Sequence, residues 1–195
     1  MLKKNSRVLR WVVVLAVLSL SVAGMVTVIG GTAHGAMSDP EAIQQVIREA
    51  LQDEQTVDIT PAAFHSNVRV PDDVMQKVVD DIRYEAQQHY AGQRLDQITR
   101  ILSVHAREQA EPGTEREVAG GIENLNFAKV EVKGDSATVS LSVRKWLDYL
   151  HFDVEGRPHL VKPPHLLLNY TFGLTRSDAG WRIVAEDFKF ASGAV

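Results

Sequence analysis

The sequence predicts an α+β domain, with N-terminal helices packed on a curved antiparallel sheet. Apolar residues recur at helical spacing as far as residue 105, and from Phe127 onward they alternate with polar residues. Such alternation is typical of strands that have one wet face. Because the helices precede the strands, the order argues against a parallel, doubly wound sheet.

A single transmembrane or signal helix is predicted before this domain. Four cations fall within the first ten residues, and residues 11–31 contain no charge. A helix of 21 residues is about 30 Å long, which matches the hydrocarbon core of a bilayer. The basic flank is expected to stay in the cytoplasm, so the protein would be a single-pass membrane protein with its C-terminal domain outside. The alternative is secretion after cleavage near Gly35.

Two segments follow from this interpretation, an anchor or signal peptide at residues 1–36 and an exported domain at residues 37–195.

The chain has a formal net charge of −4. Its first 36 residues carry four cations and no acid, so the exported domain carries −8. Such a charge argues against nucleic acid as a partner. The chain has no cysteine, which excludes disulfides, thiolate metal sites and a cysteine nucleophile.

Three helices are predicted in the first half of the exported domain. Residues 37–53 carry apolar side chains at i, i+3, i+4 and i+7 spacing, with Pro40 in the first turn. A second helix begins near Pro71 and stops near Gly92, and a third follows as far as the breaker at residues 111–113.

The connections are predicted from the loss of any period. Residues 54–70 are expected to form a loop with one short extended piece, and residues 113–126, which are polar and contain glycine, a connection. The segment from His151 to His165 contains three prolines and is expected to be an exposed loop between two strands.

Four strands are predicted in the second half. Residues 127–143 form a hairpin that turns at Gly134-Asp135, because apolar and polar residues alternate on both sides of that turn. Residues 166–175 and 181–190 are expected to form the third and fourth strands.

The hairpin FAKVEVKGDSATVSLSV and the terminal pair YTFGLTRSDAGWRIVAEDF resemble the nuclear-transport-factor-like (cystatin-like) cone family of exported bacterial proteins. The resemblance covers residues 40–190 and is closest to accessory domains that precede cell-wall amidase-like domains or stand alone behind a membrane anchor. It implies a curved sheet wrapped around helices, with a pocket at the wide end. Because this fold hosts enzymes, binding modules and structural pieces alike, it does not decide the function.

Candidate ligands for a metal occur in the segment 151–165, which contains His151, Asp153, His159 and His165. Histidine and carboxylate ligands suit zinc. Their spacing, however, matches no known ligand pattern, and the prolines suit an exposed connection, so we predict that no metal is bound there.

The predicted binding residues are Trp146, Tyr149, His151 and His159. Trp146 and Tyr149 end the predicted hairpin beside the histidine-containing segment, where an exposed aromatic side chain could anchor a peptide or a glycan. If the cone holds a pocket with an acid–base pair, its possible lining residues are Tyr84, His89, His105, Asp148 and Tyr149. His105 falls on an apolar helix face, where a histidine is more often a satisfied core residue.

From these observations we predict a non-catalytic, extracytoplasmic binding or assembly module of the bacterial cell envelope. Its partners would be an envelope protein or a cell-wall-derived ligand, together with the membrane through residues 11–31. No cofactor and no catalytic residue is predicted. Two alternatives stay open, a small cavity-based enzyme of the cone fold (a hydrolase or an isomerase) and a purely structural accessory subunit of an envelope complex.

Overall fold

The structure is a computed structural model, and it describes residues 37–191. The predicted transmembrane or signal helix and the predicted cleavage site lie outside the described residues. Among the residues described, no helix combines the length and the apolar character needed to cross a membrane.

Within the described residues three α-helices precede the sheet, as predicted: α1 (Asp39–Asp53), α2 (Asp72–His89) and α3 (Gly92–Glu108). At the start of α1, the Glu41 carboxylate accepts the backbone N–H of Ser38 at 3.0 Å, one half of a capping box. The sharp junction between α2 and α3 is made at Gly92, whose φ of 58° suits glycine.

The part of the chain that the structure describes contains five strands in one antiparallel sheet: β1 (Arg116–Lys133), β2 (Ser136–Phe152), β3 (Pro158–Val161), β4 (Leu166–Ser177) and β5 (Gly180–Phe190). Their order in the sheet is β1-β2-β4-β5, and β3 pairs with the end of β2. The predicted class, helices packed on a curved antiparallel sheet, is therefore confirmed.

The prediction of a connection at residues 113–126 was wrong for most of that segment, because β1 begins at Arg116. The first half of β1 pairs with the second half of β2, from Arg116 opposite Leu150 to Glu123 opposite Arg144. Its register shifts three times, between Glu117 and Ala119 and at two points before Lys129. Each shift inserts an unpaired residue and reverses the in-out alternation. The segment therefore shows no period of two in its sequence.

The two other predicted connections also differ from the structure. Residues 54–70 contain a short 3-10 helix, Ala62–Phe64, and no strand. The segment between β2 and β4, predicted as an exposed loop, contains the short strand β3. A proline is tolerated at the first residue of such an edge strand, and Pro158 occupies that place.

The core lies between the inner face of the sheet and the helices. Trp181 of β5 is 3% exposed, and its indole N–H donates to Asp39 of α1 at 3.4 Å. The apolar members of the core alternate along the strands and recur along α1; they include Ile43, Ile47, Leu51, Val139, Leu141, Val143, Phe172 and Ile183.

Candidate functional site

Four charged side chains lie in the interior between the helices and the sheet, where apolar residues are the rule. Lys145 Nζ lies 2.7 Å from Glu54 Oε2, and Arg94 Nη2 lies 2.8 Å from Glu186 Oε2. These side chains are 4–10% exposed. We call Glu54, Arg94, Lys145 and Glu186 the inner ion-pair cluster.

Two tyrosines complete the surroundings of this cluster. The Tyr90 hydroxyl donates to Glu54, and the Arg94 guanidinium lies 5.8 Å from the centre of the Tyr90 ring. Lys145 Nζ lies 5.2 Å from the centre of the Tyr170 ring. Burial and the nearby carboxylates raise the pKa of Tyr90 well above its ordinary value, so the hydroxyl stays protonated and acts as a donor.

The members of the inner ion-pair cluster shift one another's pKa values. Burial alone would raise the pKa of Glu54, but Lys145 and Arg94 overcome it and lower that pKa. Burial, reinforced by the charge of Glu54, raises the pKa of Glu186 to about 7 against the opposing cations. Burial opposes the charged form of Lys145 as well, but Glu54 raises its pKa above the ordinary value. Such mutually dependent buried pairs are typical of structural networks.

A second polar group, which we call the His105 triad, consists of Asp58, His105 and Glu117. His105 Nδ1 lies 2.8 Å from Asp58 Oδ2, and His105 Nε2 lies 3.3 Å from Glu117 Oε1. Asp58 and Glu117 are buried. Gln109 joins the same group, because its side-chain oxygen accepts the backbone N–H of Glu117 at 2.7 Å.

The pKa values of His105 and Glu117 in the triad are raised well above their ordinary values. Burial disfavours the charged form of His105, but the hydrogen bond to Asp58 and the charges of both carboxylates raise its pKa to about 9. Burial also raises the pKa of Glu117 to about 8, against the opposing charge of His105. The triad therefore favours the protonated form of His105, and burial disfavours the charged form of Glu117. The expectation that His105 is a satisfied core residue is confirmed in part, since carboxylates rather than apolar contacts satisfy it.

The third feature is a cavity of about 700 Å³ between α1, α2 and the first half of β1, which we call the α1–α2 cavity. His89 Nε2 lies 2.7 Å from Asp53 Oδ2 in its wall. A ring nitrogen of His89 and one oxygen each of Asp53 and Glu85 lie within 4.8 Å of one another. The charged residues that line this cavity are Arg48, Glu49, Asp53, Glu85, His89 and Glu123.

None of the four predicted binding residues lines this cavity, and three of them lie where β2 pairs with β3. His151 is opposite His159, and Tyr149 is opposite Val161. Because successive strand residues point to opposite faces, Tyr149, His151 and His159 share one face, and Trp146 points to the other. Trp146 stacks on His165, with 6.2 Å between the ring centres.

The candidate metal ligands of the segment 151–165 make separate contacts. His151 pairs with Glu115 at 3.3 Å, His159 with Asp153 at 3.1 Å, and His165 with Glu123. Within residues 37–191, the groups that bring three potential metal ligands together are the His105 triad and the Asp53–Glu85–His89 group.

Of the possible pocket-lining residues, His89 lines the α1–α2 cavity, and His105 belongs to the triad. Tyr84 is exposed on α2, and Asp148 pairs with Lys162 at 2.9 Å. Sequence reasoning missed the inner ion-pair cluster entirely. One signal for it was present in β2, where the alternation that buries Val139, Leu141 and Val143 continues to Lys145.

The chain was compared with protein families, with curated proteins and with solved structures, and the solved structures include domains of similar architecture. No family model and no curated protein matches the chain. The solved intermembrane-space region of the chloroplast protein ARC6 aligns with a TM-score of 0.53 at 12% identity, covering 80% of this chain and 99% of that one. An NTF2-like superfamily protein from Salmonella enterica aligns with a TM-score of 0.46 at 11% identity, over 79% of this chain and 94% of that one.

The ARC6 region and this domain share one fold, helices packed on a curved antiparallel sheet. CagV from Helicobacter pylori, a VirB8 homolog, also aligns, with a TM-score of 0.41 at 10% identity over 76% of this chain and 99% of that one. At these identities the likeness concerns the fold alone. The similar structures include NTF2-like superfamily proteins, the family that the hairpin and the terminal strand pair were predicted to resemble.

Proposed function

We propose that the cone domain is a non-catalytic, extracytoplasmic module of the bacterial cell envelope that binds an envelope protein or a cell-wall-derived ligand. The observation that carries the proposal is the inner ion-pair cluster. An enzyme that used the interior of the cone would need an acid or a base within hydrogen-bond reach of a substrate. The four charged side chains of the cluster form ion pairs with one another and are 4–10% exposed. They are therefore not available to a substrate.

The location outside the cytoplasm is supported by the uncharged residues 11–31 and their basic flank. The ARC6 structure that shares the fold is itself an intermembrane-space region, in line with a cone domain that works on the far side of a membrane.

The binding surface that we propose is the β2–β3 arm, residues 146–165, which contains the predicted binding residues. β4 pairs with β2 only from Ser136 to Lys145. Beyond that point β2 pairs with β3, and within the described residues β3 pairs with no other strand. Val154 and Leu160 are exposed on the arm. A strand edge flanked by apolar side chains is suited to adding a strand from a partner.

The test is site-specific photo-crosslinking of the full-length protein in its native cells. A photoreactive side chain at Val154 or Leu160 is expected to capture a discrete envelope component. The matched controls are Tyr84 on α2 and Val104 on α3, whose exposures of 62% and 52% are close to the 55% of Leu160. Equal capture at all four positions, or capture only from the helices, would contradict the proposed surface.

A second candidate function, a small cavity-based hydrolase or isomerase, is favoured by one observation, the contact of His89 with Asp53 in the wall of the α1–α2 cavity. His89 Nε2 is engaged by Asp53 and Nδ1 is buried, so the ring offers no exposed, unengaged base to a substrate. If the protein is an enzyme of this kind, Asp53→Asn should abolish turnover while leaving capture at Leu160 unchanged.

A further inference from the structure

Two helices end at the α1–α2 cavity. α1 ends at Asp53 and α2 ends at His89, and the side chains of these two residues are in contact. A helix C-terminus carries roughly half a negative charge. Proteins usually place basic residues there, yet the last turn of α1 contains none and ends in an aspartate. The two helix ends therefore create a negative field, and the basic residue in the last turn of α2 is His89.

The carboxylates of the cavity strengthen this field. Besides Asp53, the wall contains Glu49, Glu85 and Glu123, against the single guanidinium of Arg48. Glu85 makes no hydrogen bond and no ion pair with any described residue. His89 is 6% exposed, and its Nδ1 is buried without a hydrogen-bond partner. Buried polar atoms are normally paired, so both side chains keep an unused capacity for a ligand.

We propose that the α1–α2 cavity binds a divalent transition-metal cation through Asp53, Glu85 and His89. Glu85 and His89 are four residues apart on α2, so they lie on the same face of that helix, and Asp53 approaches from the end of α1. One donor atom from each lies within 4.8 Å of the others, which is close enough for all three to reach one ion after small side-chain rotations.

The donor set favours zinc. One imidazole nitrogen and two carboxylate oxygens suit zinc, whereas calcium and magnesium prefer oxygen ligands alone. Three protein ligands leave one position of a tetrahedral ion open, and it would face the cavity. The two ligand carboxylates neutralise the charge of the ion, and the helix ends favour it further.

The three proposed ligands belong to α1 and α2, and none of them belongs to the β2–β3 arm, so the inference goes beyond the proposed function. Because the arm is tested by crosslinking and the cavity by metal binding, the two can fail separately.

The experiment is a titration of the metal-stripped, full-length protein with zinc chloride, followed by calorimetry and by the thermal unfolding midpoint. Saturable binding of one ion per chain and a rise in the midpoint are expected. Glu85→Gln should weaken zinc binding at least about tenfold, since loss of a metal-orienting group typically costs 10–100-fold and a direct ligand should cost no less. Because Glu85 is partly exposed and has no partner in the fold, this variant should keep its metal-free midpoint.

The matched control is His159→Gln. His159 also contacts an aspartate, at 3.1 Å, but it lies on β3, so zinc binding should be unchanged. Magnesium chloride at the same concentrations should leave the midpoint unchanged. No binding at millimolar zinc would overturn the proposal. So would binding that survives Glu85→Gln and His89→Gln, or binding that is lost in His159→Gln.

Discussion

At the scale of single residues, Gly120 allows β1 to pack closely against the segment that follows α1. It lies in the first half of β1, opposite Leu147. A Cβ atom at this position would overlap the backbone carbonyl oxygen of Gln55. The absence of a side chain therefore lets β1 pass against the segment that carries Glu54 into the interior.

The change Gly120→Ala should lower the free energy of unfolding by about 1–3 kcal/mol, the usual cost of overpacking a close contact, because backbone atoms cannot rotate out of the way as a flexible side chain can. Urea unfolding midpoints would measure it. The control is Gly173→Ala, where the nearest contact of the new Cβ is the methyl group of Ala185 at 3.3 Å, and a smaller loss is expected. Equal midpoints for Gly120→Ala and the wild-type protein would show that the two segments separate easily.

At the scale of secondary-structure elements, the inner ion-pair cluster joins helices to strands. Arg94 on α3 pairs with Glu186 on β5, and Lys145 on β2 pairs with Glu54 just after α1. A buried pair adds little net stability compared with apolar residues of the same shape, but removal of one partner leaves an uncompensated charge. The pairs therefore act mainly to specify which elements meet.

Arg94→Met should destabilise the domain by about 3–5 kcal/mol, because Glu186 would then stay buried without its cation or would have to take up a proton. The double variant Arg94→Met/Glu186→Leu should recover a large part of that loss. Chemical denaturation of the two single variants and the double variant measures the coupling.

The control for this cycle is Arg157→Met. Arg157 pairs with Asp153 on the surface, where an ion pair is worth about 1 kcal/mol or less. If the double variant were no more stable than Arg94→Met, the pair would not be the reason for the loss.

At the scale of the whole molecule, the His105 triad joins the segment after α1 and α3 to the start of β1, a strand that contributes no residue to the inner ion-pair cluster. Asp58 lies in the loop after α1, His105 on α3 and Glu117 at the start of β1. The folded domain holds protons on His105 and Glu117 more tightly than the unfolded chain does, since both pKa values are raised, to about 9 and about 8. Wherever the folded state binds more protons, stability falls as the pH rises.

Stability should therefore decrease between pH 5 and pH 9. The Glu117 contribution is present below its unfolded pKa of 4.5 and is lost as the pH rises through about 8; the His105 contribution is present below 6.5 and is lost through about 9. Glu117→Gln should remove up to one proton from the linkage, so the slope would become shallower by up to about 1.4 kcal/mol per pH unit. Unfolding midpoints across this range measure the slope. An unchanged slope in Glu117→Gln would contradict the assignment.

The sequence alone determined the class of the domain, because helical and strand periods are local properties. Apolar residues at helical spacing predicted the three helices, including the stripe on α1. The alternation from Phe127 predicted the strands β2, β4 and β5. The same reasoning missed the first half of β1, because its register shifts erase the alternation, and it missed β3, which is four residues long and begins with a proline.

Only the tertiary structure decided which polar residues meet. Glu54 and Lys145 are 91 residues apart, Arg94 and Glu186 are 92 apart, and Asp53 and His89 are 36 apart. No local sequence pattern indicates contacts between residues so far apart in the chain, because these contacts form only when the sheet packs against the helices. The predicted binding residues lie close together in the sequence, at the end of a hairpin, whereas the buried clusters and the α1–α2 cavity combine side chains from separate elements.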